Sequence, residues 1–124
     1  MFTPHVSVLL CVGVVHACLC SLLLNLVTRL LIEWEDTLPY TGRLRVVRHP
    51  TQCYSTKEVQ RILDAAKRAS LDVVPLVQTF GHLEFVLKHD RFASMREARD
   101  NYMDLCPLSN GAKELVLELI SQVL

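Results

Sequence analysis

Polar side chains suited to binding sugars follow a short apolar run near the start of the charged part of the chain. Glu33, Glu35 and Asp36 come directly after Leu-Leu-Ile, with Trp34 among them. Carboxylates accept hydrogen bonds from hydroxyl groups, and an indole presents a flat apolar face. This spacing predicts a sugar-binding lip. The alternative is a solvated acidic loop whose charges are paired by three nearby arginines, Arg43, Arg45 and Arg48.

A second polar group follows the next apolar run, where Gln78, His82 and Glu84 lie close together in the sequence. His82 could carry a proton or orient an acid, and the alternative is a hydrogen-bonded structural histidine. In parallel α/β sheets, ligands bind at the carboxyl ends of the strands. We therefore expect both polar groups to lie at the end of a sheet that carries function.

Several kinds of chemistry are excluded by pattern or by charge. No phosphate-binding glycine loop, nucleophile elbow or zinc-protease motif occurs in the chain. The spacing of His16, Cys18 and Cys20 is a poor metal pattern, so no metal and no cofactor are predicted. The 13 basic residues are balanced by 13 acidic ones, and the basic stretch 43–49 lacks interleaved aromatic residues. We therefore predict no nucleic-acid partner.

The elements that must position these residues alternate between strand and helix. A buried strand is predicted at 30–32, a long loop at 37–54 and a second strand at 71–77, where Pro75 would suit an edge. Between loop and second strand, Ser55 and Glu58 form the signature of a capping box that starts a helix. A short helix is expected at 83–88 and a final helix from about Gly111, capped by Ser109 or Asn110. The order predicts an α/β fold with parallel strands.

The first 28 residues differ in composition, because no charged side chain precedes Arg29. Residues 6–24 are almost entirely apolar and are long enough for a membrane or signal segment, whereas the alternative is a buried helix at 17–26. We divide the chain into an apolar segment, 1–28, and a globular part, 29–124. The five cysteines match no disulfide framework and are interpreted as buried apolar residues of a reduced protein.

Two long strings go beyond generic pattern, namely LLIEWEDTLPYTG at 30–42 and VPLVQTFGHLEFVLK at 74–88. They resemble the β-N-acetylhexosaminidases of glycoside hydrolase family 20. The resemblance implies a (β/α)8 barrel, of which this chain would hold about two strand-helix units preceded by an apolar helix. It also implies hydrolysis of terminal N-acetylhexosamines from a glycan or glycoconjugate and an intracellular location, with a membrane or secretory route as the alternative.

The resemblance assigns roles to particular residues. His82 matches a histidine that supports the acid machinery, and the substrate-binding positions would be Glu33, Glu35, Asp36, Gln78, His82 and Glu84. Catalysis in the family is substrate-assisted and uses an adjacent Asp-Glu pair, which is absent from this sequence. We expect that pair downstream, in a longer protein of which this chain is a fragment, and expect the isolated chain to be inactive. The alternative is a non-catalytic membrane-associated or interaction protein that self-associates through open sheet edges.

Overall fold

A computed structural model describes residues 6–11 and 27–124 of the chain. These residues fall into two units, which are taken in turn. The first contains the described residues up to Trp34 together with residues 54–76, and the second contains residues 35–53 and 77–124. The first unit holds a parallel sheet and one helix, whereas the second consists of helices and loops.

The first unit is built on three parallel strands, β1 (Val6–Cys11), β2 (Val27–Glu33) and β3 (Asp72–Leu76), in the order β1-β2-β3. Leu30 of β2 is paired with Val8 of β1 on one side and with Val73 of β3 on the other. Leu30 and Ile32, which lie on the same face of β2, are buried, whereas Leu31 on the opposite face is half-buried. The predicted strand at 30–32 and the α/β class are therefore confirmed.

Strand β1 is a finding that the sequence analysis missed. It predicted two strands preceded by an apolar helix, and Val6–Cys11 adds a third strand that pairs with β2. Periodicity fails here because a short run that is apolar apart from Ser7 has neither the period of a strand nor that of a helix. The helix predicted at 17–26 lies outside the described residues. Within residues 6–11 and 27–124, no helix has the length and hydropathy needed to cross a bilayer.

Pro75 lies within β3, opposite Ile32 of β2. Among the described residues, β2 is the strand that pairs with β3, so β3 forms an edge of the described sheet. A proline lacks the N–H that an inner strand would need for pairing on both sides, and an edge position tolerates this loss. The second strand predicted at 71–77 is therefore confirmed.

Helix α1 (Thr56–Arg68) begins with the predicted capping box. The Ser55 hydroxyl accepts a hydrogen bond from the Glu58 N–H at 3.3 Å, and the Glu58 carboxylate accepts one from the Ser55 N–H at 2.7 Å. The helix ends where Ser70 adopts a left-handed φ of 56° and the Leu71 N–H reaches back to the Ala66 carbonyl. This tight turn leads directly into β3.

The second unit contains helix α2 (Glu84–Leu87), helix α3 (Ala112–Val123) and three 3₁₀ helices, Glu35–Thr37, Gly42–Val47 and Asp90–Met95. The predicted short and final helices are confirmed. The stretch predicted as a loop at 37–54 holds the 3₁₀ helix Gly42–Val47, whose Leu44 and Val47 are fully buried. The largest fully buried side chains of this unit are Phe92, Leu44, Leu83, Leu87, Leu115, Leu119, Val47 and Val86.

The start of α3 differs from the prediction, because the N-cap is Gly111 and not Ser109 or Asn110. The Ser109 hydroxyl instead donates to the Cys106 carbonyl at 2.8 Å, which stabilises the preceding turn. Gly111 has a φ of 82°, and a Cβ added there would lie 2.9 Å from Cε of Met95. Backbone conformation and close packing therefore select glycine at this cap.

The capping box of α1 gives a direct test of the first unit. We expect Ser55→Ala to lower the free energy of unfolding by about 1 kcal/mol, because the Glu58 N–H loses its side-chain acceptor and the Glu58 carboxylate loses the hydrogen bond from the Ser55 hydroxyl. Urea denaturation at neutral pH measures this change. Thr56→Ala is the matched control: it lies one residue further on, is also exposed, and should change stability by less than about 0.5 kcal/mol. Equal losses for the two variants would contradict the assignment of Ser55 as the cap.

Candidate functional site

The acidic residues predicted to bind sugar form a 3₁₀ helix at the start of the second unit. Glu35 is exposed and has a left-handed φ of 43°, whereas the Asp36 side chain is 17% exposed. The Asp36 carbonyl accepts a hydrogen bond from the His49 N–H at 2.8 Å. The Asp36 carboxylate forms an ion pair with Lys88, with Oδ2 and Nζ 3.3 Å apart. Asp36 is thus held through both its backbone and its side chain.

A buried tyrosine lies near this acidic pair. Burial, and secondarily the charges of Glu35 and Asp36, raise the pKa of the Tyr40 hydroxyl above its usual range. The phenol therefore stays protonated at physiological pH and keeps its ability to donate a hydrogen bond. Arg48 fixes the backbone at this point, since its Nε donates to the Tyr40 carbonyl at 2.5 Å and a terminal nitrogen donates to the Pro39 carbonyl at 3.1 Å.

Two of the three arginines named in the alternative of a charge-paired acidic loop, Arg43 and Arg48, bind groups other than those acids. Arg43 forms its ion pair with Glu118 of α3, and Arg48 binds backbone carbonyls. Lys88, rather than an arginine, lies against the Asp36 carboxylate. The sequence analysis missed Lys88 because it follows a different apolar run, 52 residues further along the chain.

The second polar group lies beside the first within the same unit. The 3₁₀ helix Glu35–Thr37 packs against α2, whose first residue is Glu84. His82 precedes this helix by two residues, is exposed, and has a left-handed φ of 56°. Gln78 is half-buried in the segment that leads to it. The structure thus brings acidic residues from two distant parts of the sequence onto adjacent elements, where their carboxylates can accept hydrogen bonds from hydroxyl groups.

Glu33 and Trp34 belong to the first unit. Glu33 is the last residue of β2 and is paired with Cys11 of β1 and with Leu76 of β3. Trp34 is 3% exposed, and its ring meets that of Tyr54 edge to face, with centroids 6.2 Å apart. The predicted open indole face is therefore wrong: the apolar area of the ring is used in packing.

His89, next to Lys88, is a further histidine that the sequence analysis did not single out. Its Nε2 is buried and has no hydrogen-bond partner among the described residues. Burial and the charge of Lys88 lower the pKa of His89, and they outweigh the Phe85 carbonyl and the carboxylates of Asp36 and Asp90, which raise it. The ring is therefore held mainly neutral at physiological pH.

Across residues 6–11 and 27–124, no three side chains of His, Cys, Asp or Glu are arranged to hold a metal ion. Cys53 and Cys106 are half-buried free thiols, and Cys53 donates a hydrogen bond to the Leu38 carbonyl with an Sγ–O distance of 3.5 Å. Neither thiol is fully buried, which differs from the burial predicted for the cysteines.

The neutral state of His89 predicts how stability depends on pH. Because its pKa is lower in the folded state than the usual value of about 6.5, the unfolded chain binds more protons between the two values. Stability should therefore fall as the pH drops through this window. Urea denaturation from about pH 7.5 to about pH 4.5 should show a shallower loss for His89→Gln than for the wild type.

The exposed His82 provides the matched control for this measurement. His82→Gln removes a histidine without removing a buried ring, and its stability should follow the wild-type pH dependence. Parallel curves for wild type and His89→Gln would contradict the assignment of the effect to His89.

Comparison with known proteins adds two relatives. No protein-family model matches the chain. Hexosaminidase D of Bos taurus is 45% identical over 95 residues, which cover 77% of this chain and 27% of that protein. Hexosaminidase D of Homo sapiens is 48% identical over 95 residues, which cover 77% of this chain and 19% of that protein. The chain is therefore similar to a part of these enzymes and spans no more than about a quarter of their length.

Proposed function

We propose that this chain is a fragment of a β-N-acetylhexosaminidase of glycoside hydrolase family 20 and supplies part of its sugar-binding surface. The observation that carries the proposal is the identity of 45% and 48% over 95 residues with two relatives named hexosaminidase D. Three parallel strands in consecutive order also suit part of a (β/α)8 barrel.

The proposed sugar-binding residues of the second unit are Glu35, Asp36, Gln78, His82 and Glu84. Asp36 is the best defined of them, because the His49 N–H fixes its backbone and Lys88 fixes the direction of its carboxylate. A carboxylate held in one direction accepts a hydroxyl hydrogen bond with little loss of side-chain entropy. Glu84 lies on the adjacent helix, and His82 is accessible to solvent. Glu33, in the first unit, keeps its proposed role on the resemblance alone.

The chain's own residues bind and orient in this proposal, and they do not supply the full reaction. Substrate-assisted hydrolysis in the family needs an aspartate that orients the substrate acetamido group and an adjacent glutamate that protonates the leaving oxygen. No Asp-Glu dipeptide occurs in these 124 residues. Glu35-Asp36 has the reverse order and lies directly after β2. We therefore assign Glu35 and Asp36 to binding.

The first test concerns hydrolysis. The 124-residue chain, incubated with a chromogenic N-acetylhexosaminide, should release chromophore at least about 100-fold more slowly than a complete hexosaminidase D, because the general acid is missing. The complete enzyme, assayed at the same molar concentration, is the positive control. Turnover close to that of the complete enzyme would show that the reaction uses residues other than those proposed.

The second test concerns binding and does not depend on turnover. N-acetylglucosamine and N-acetylgalactosamine are titrated separately into the isotope-labelled chain, with NMR chemical shifts as the measurement. One of them should shift resonances around Asp36 and Glu84. Asp36→Asn should weaken this binding by about tenfold or more, because a hydrogen bond to a charged acceptor is lost.

Asp100→Asn is the matched control, since Asp100 is an exposed aspartate of the same unit that lies outside the proposed site. It should leave the affinity unchanged. The absence of shifts with both sugars, or an equal loss for the two aspartate variants, would contradict the proposed site.

A further inference from the structure

Four consecutive exposed residues join helix α1 to strand β3 in the first unit. Lys67 and Arg68 lie in the last turn of α1, and Ser70 follows the residue that caps it. All four side chains are exposed, whereas the next residue, Leu71, is half-buried. We call residues 67–70 the basic turn. It lies at the amino end of β3 and contains none of the proposed sugar-binding residues.

The two cations of the basic turn are free to bind a partner. Within the described residues, 6–11 and 27–124, neither Lys67 nor Arg68 forms an ion pair or a side-chain hydrogen bond. They stand three and two residues before the Ser70 hydroxyl. Kinases select their substrates partly by charge, and an acidic kinase groove binds basic side chains on the amino side of the acceptor hydroxyl. The basic turn presents this arrangement.

The backbone at Ser70 favours opening of the basic turn. Ser70 has a left-handed φ of 56°, which is disfavoured for a residue with a Cβ. Its N–H donates to the Lys67 carbonyl and the Leu71 N–H donates to the Ala66 carbonyl, each at 3.0 Å. Helix ends open locally at low cost in free energy. The extended backbone that a kinase groove requires is therefore accessible here, and reaching it relieves the strain at Ser70.

Two other hydroxyl groups follow an arginine by three residues, and their surroundings differ. Thr51 follows Arg48, whose guanidinium already binds two backbone carbonyls. Ser94 follows Arg91 but lies inside the 3₁₀ helix Asp90–Met95. Neither hydroxyl has a lysine or arginine two positions before it. These two residues therefore lack the paired free cations and the terminal position that distinguish the basic turn.

We propose that Ser70 is a phosphorylation site for a serine kinase that recognises basic residues. In this transfer the Ser70 Oγ attacks the γ-phosphorus of MgATP, so that an Oγ–P bond forms while the bond from the γ-phosphorus to the bridging oxygen breaks and ADP leaves. The hydroxyl proton passes to the catalytic aspartate of the kinase, and nothing is oxidised or reduced. The inference does not depend on the proposed function, because it concerns a different part of the chain.

The experiment incubates the folded 124-residue chain with MgATP and the catalytic subunit of cyclic-AMP-dependent protein kinase, a kinase of this class. Peptide mass spectrometry should locate one phosphoryl group, on Ser70. Ser70→Gly should abolish it and keep the fold, because glycine adopts a left-handed φ without strain. Arg68→Gln should lower kcat/KM by about tenfold or more, the effect of losing one charge contact with the kinase. Arg61→Gln is the matched control, since Arg61 is an exposed arginine earlier on α1, and should leave kcat/KM unchanged.

An unstructured peptide of residues 62–75 is the reference for the reaction without the fold. The folded chain should react within about tenfold of the peptide's kcat/KM, because only the end of one helix must open. A folded chain that stays unmodified, or reacts more slowly than this, overturns the inference. Phosphate on Thr51 or Ser94 with Ser70 unmodified overturns it as well. Equal losses for the two arginine variants would show that the basic turn is not what the kinase recognises, and would have the same consequence.

Discussion

The geometry of the proposed site in the second unit depends on how Asp36 is held. Its carbonyl accepts the His49 N–H, so the loop that follows β2 is closed onto itself, and its carboxylate meets Lys88 at the end of α2. Two segments that lie 52 residues apart in sequence are therefore joined at one residue. An exposed ion pair contributes little to stability, and Lys88 is 49% exposed. The main effect of the ion pair is to orient the Asp36 carboxylate, which would otherwise sample several rotamers.

Packing supplies the stability that this polar contact does not. Helix α2 has only four residues, too few to persist by itself in water. It forms because Phe85, Val86 and Leu87 are all buried and because Leu83, just before it, is fully buried as well. Burial of these apolar side chains therefore fixes the position of the helix. The helix in turn positions Glu84 and the Leu87 carbonyl, which accepts a hydrogen bond from Arg96. The polar residues of the proposed site are placed by the core beneath them.

The sequence predicts the parts of this structure that depend on neighbouring residues. The capping box of α1 depends on residues three apart in the sequence, and it is confirmed. The cap of α3 was predicted wrongly because the Ser109 hydroxyl bonds to the Cys106 carbonyl instead, and the residue before the helix, Gly111, adopts a left-handed φ of 82° that favours glycine. Trp34 was predicted to be open because its packing against Tyr54 could not be inferred from spacing. Lys88 and His89 were missed for the same reason: what makes them notable is their proximity to Asp36.

The two polar loops each contain a residue with a left-handed backbone conformation. Glu35 and His82 adopt φ values of 43° and 56°, a region that disfavours any residue with a Cβ. At Ser70 the same conformation follows the end of a helix. Glu35 and His82, in contrast, lie in the segments that carry the proposed sugar contacts. Glycine would adopt either conformation without strain and would remove the functional group. Glycine at either position would therefore favour folding stability over the proposed binding, and selection for a more stable chain would remove these proposed contacts first.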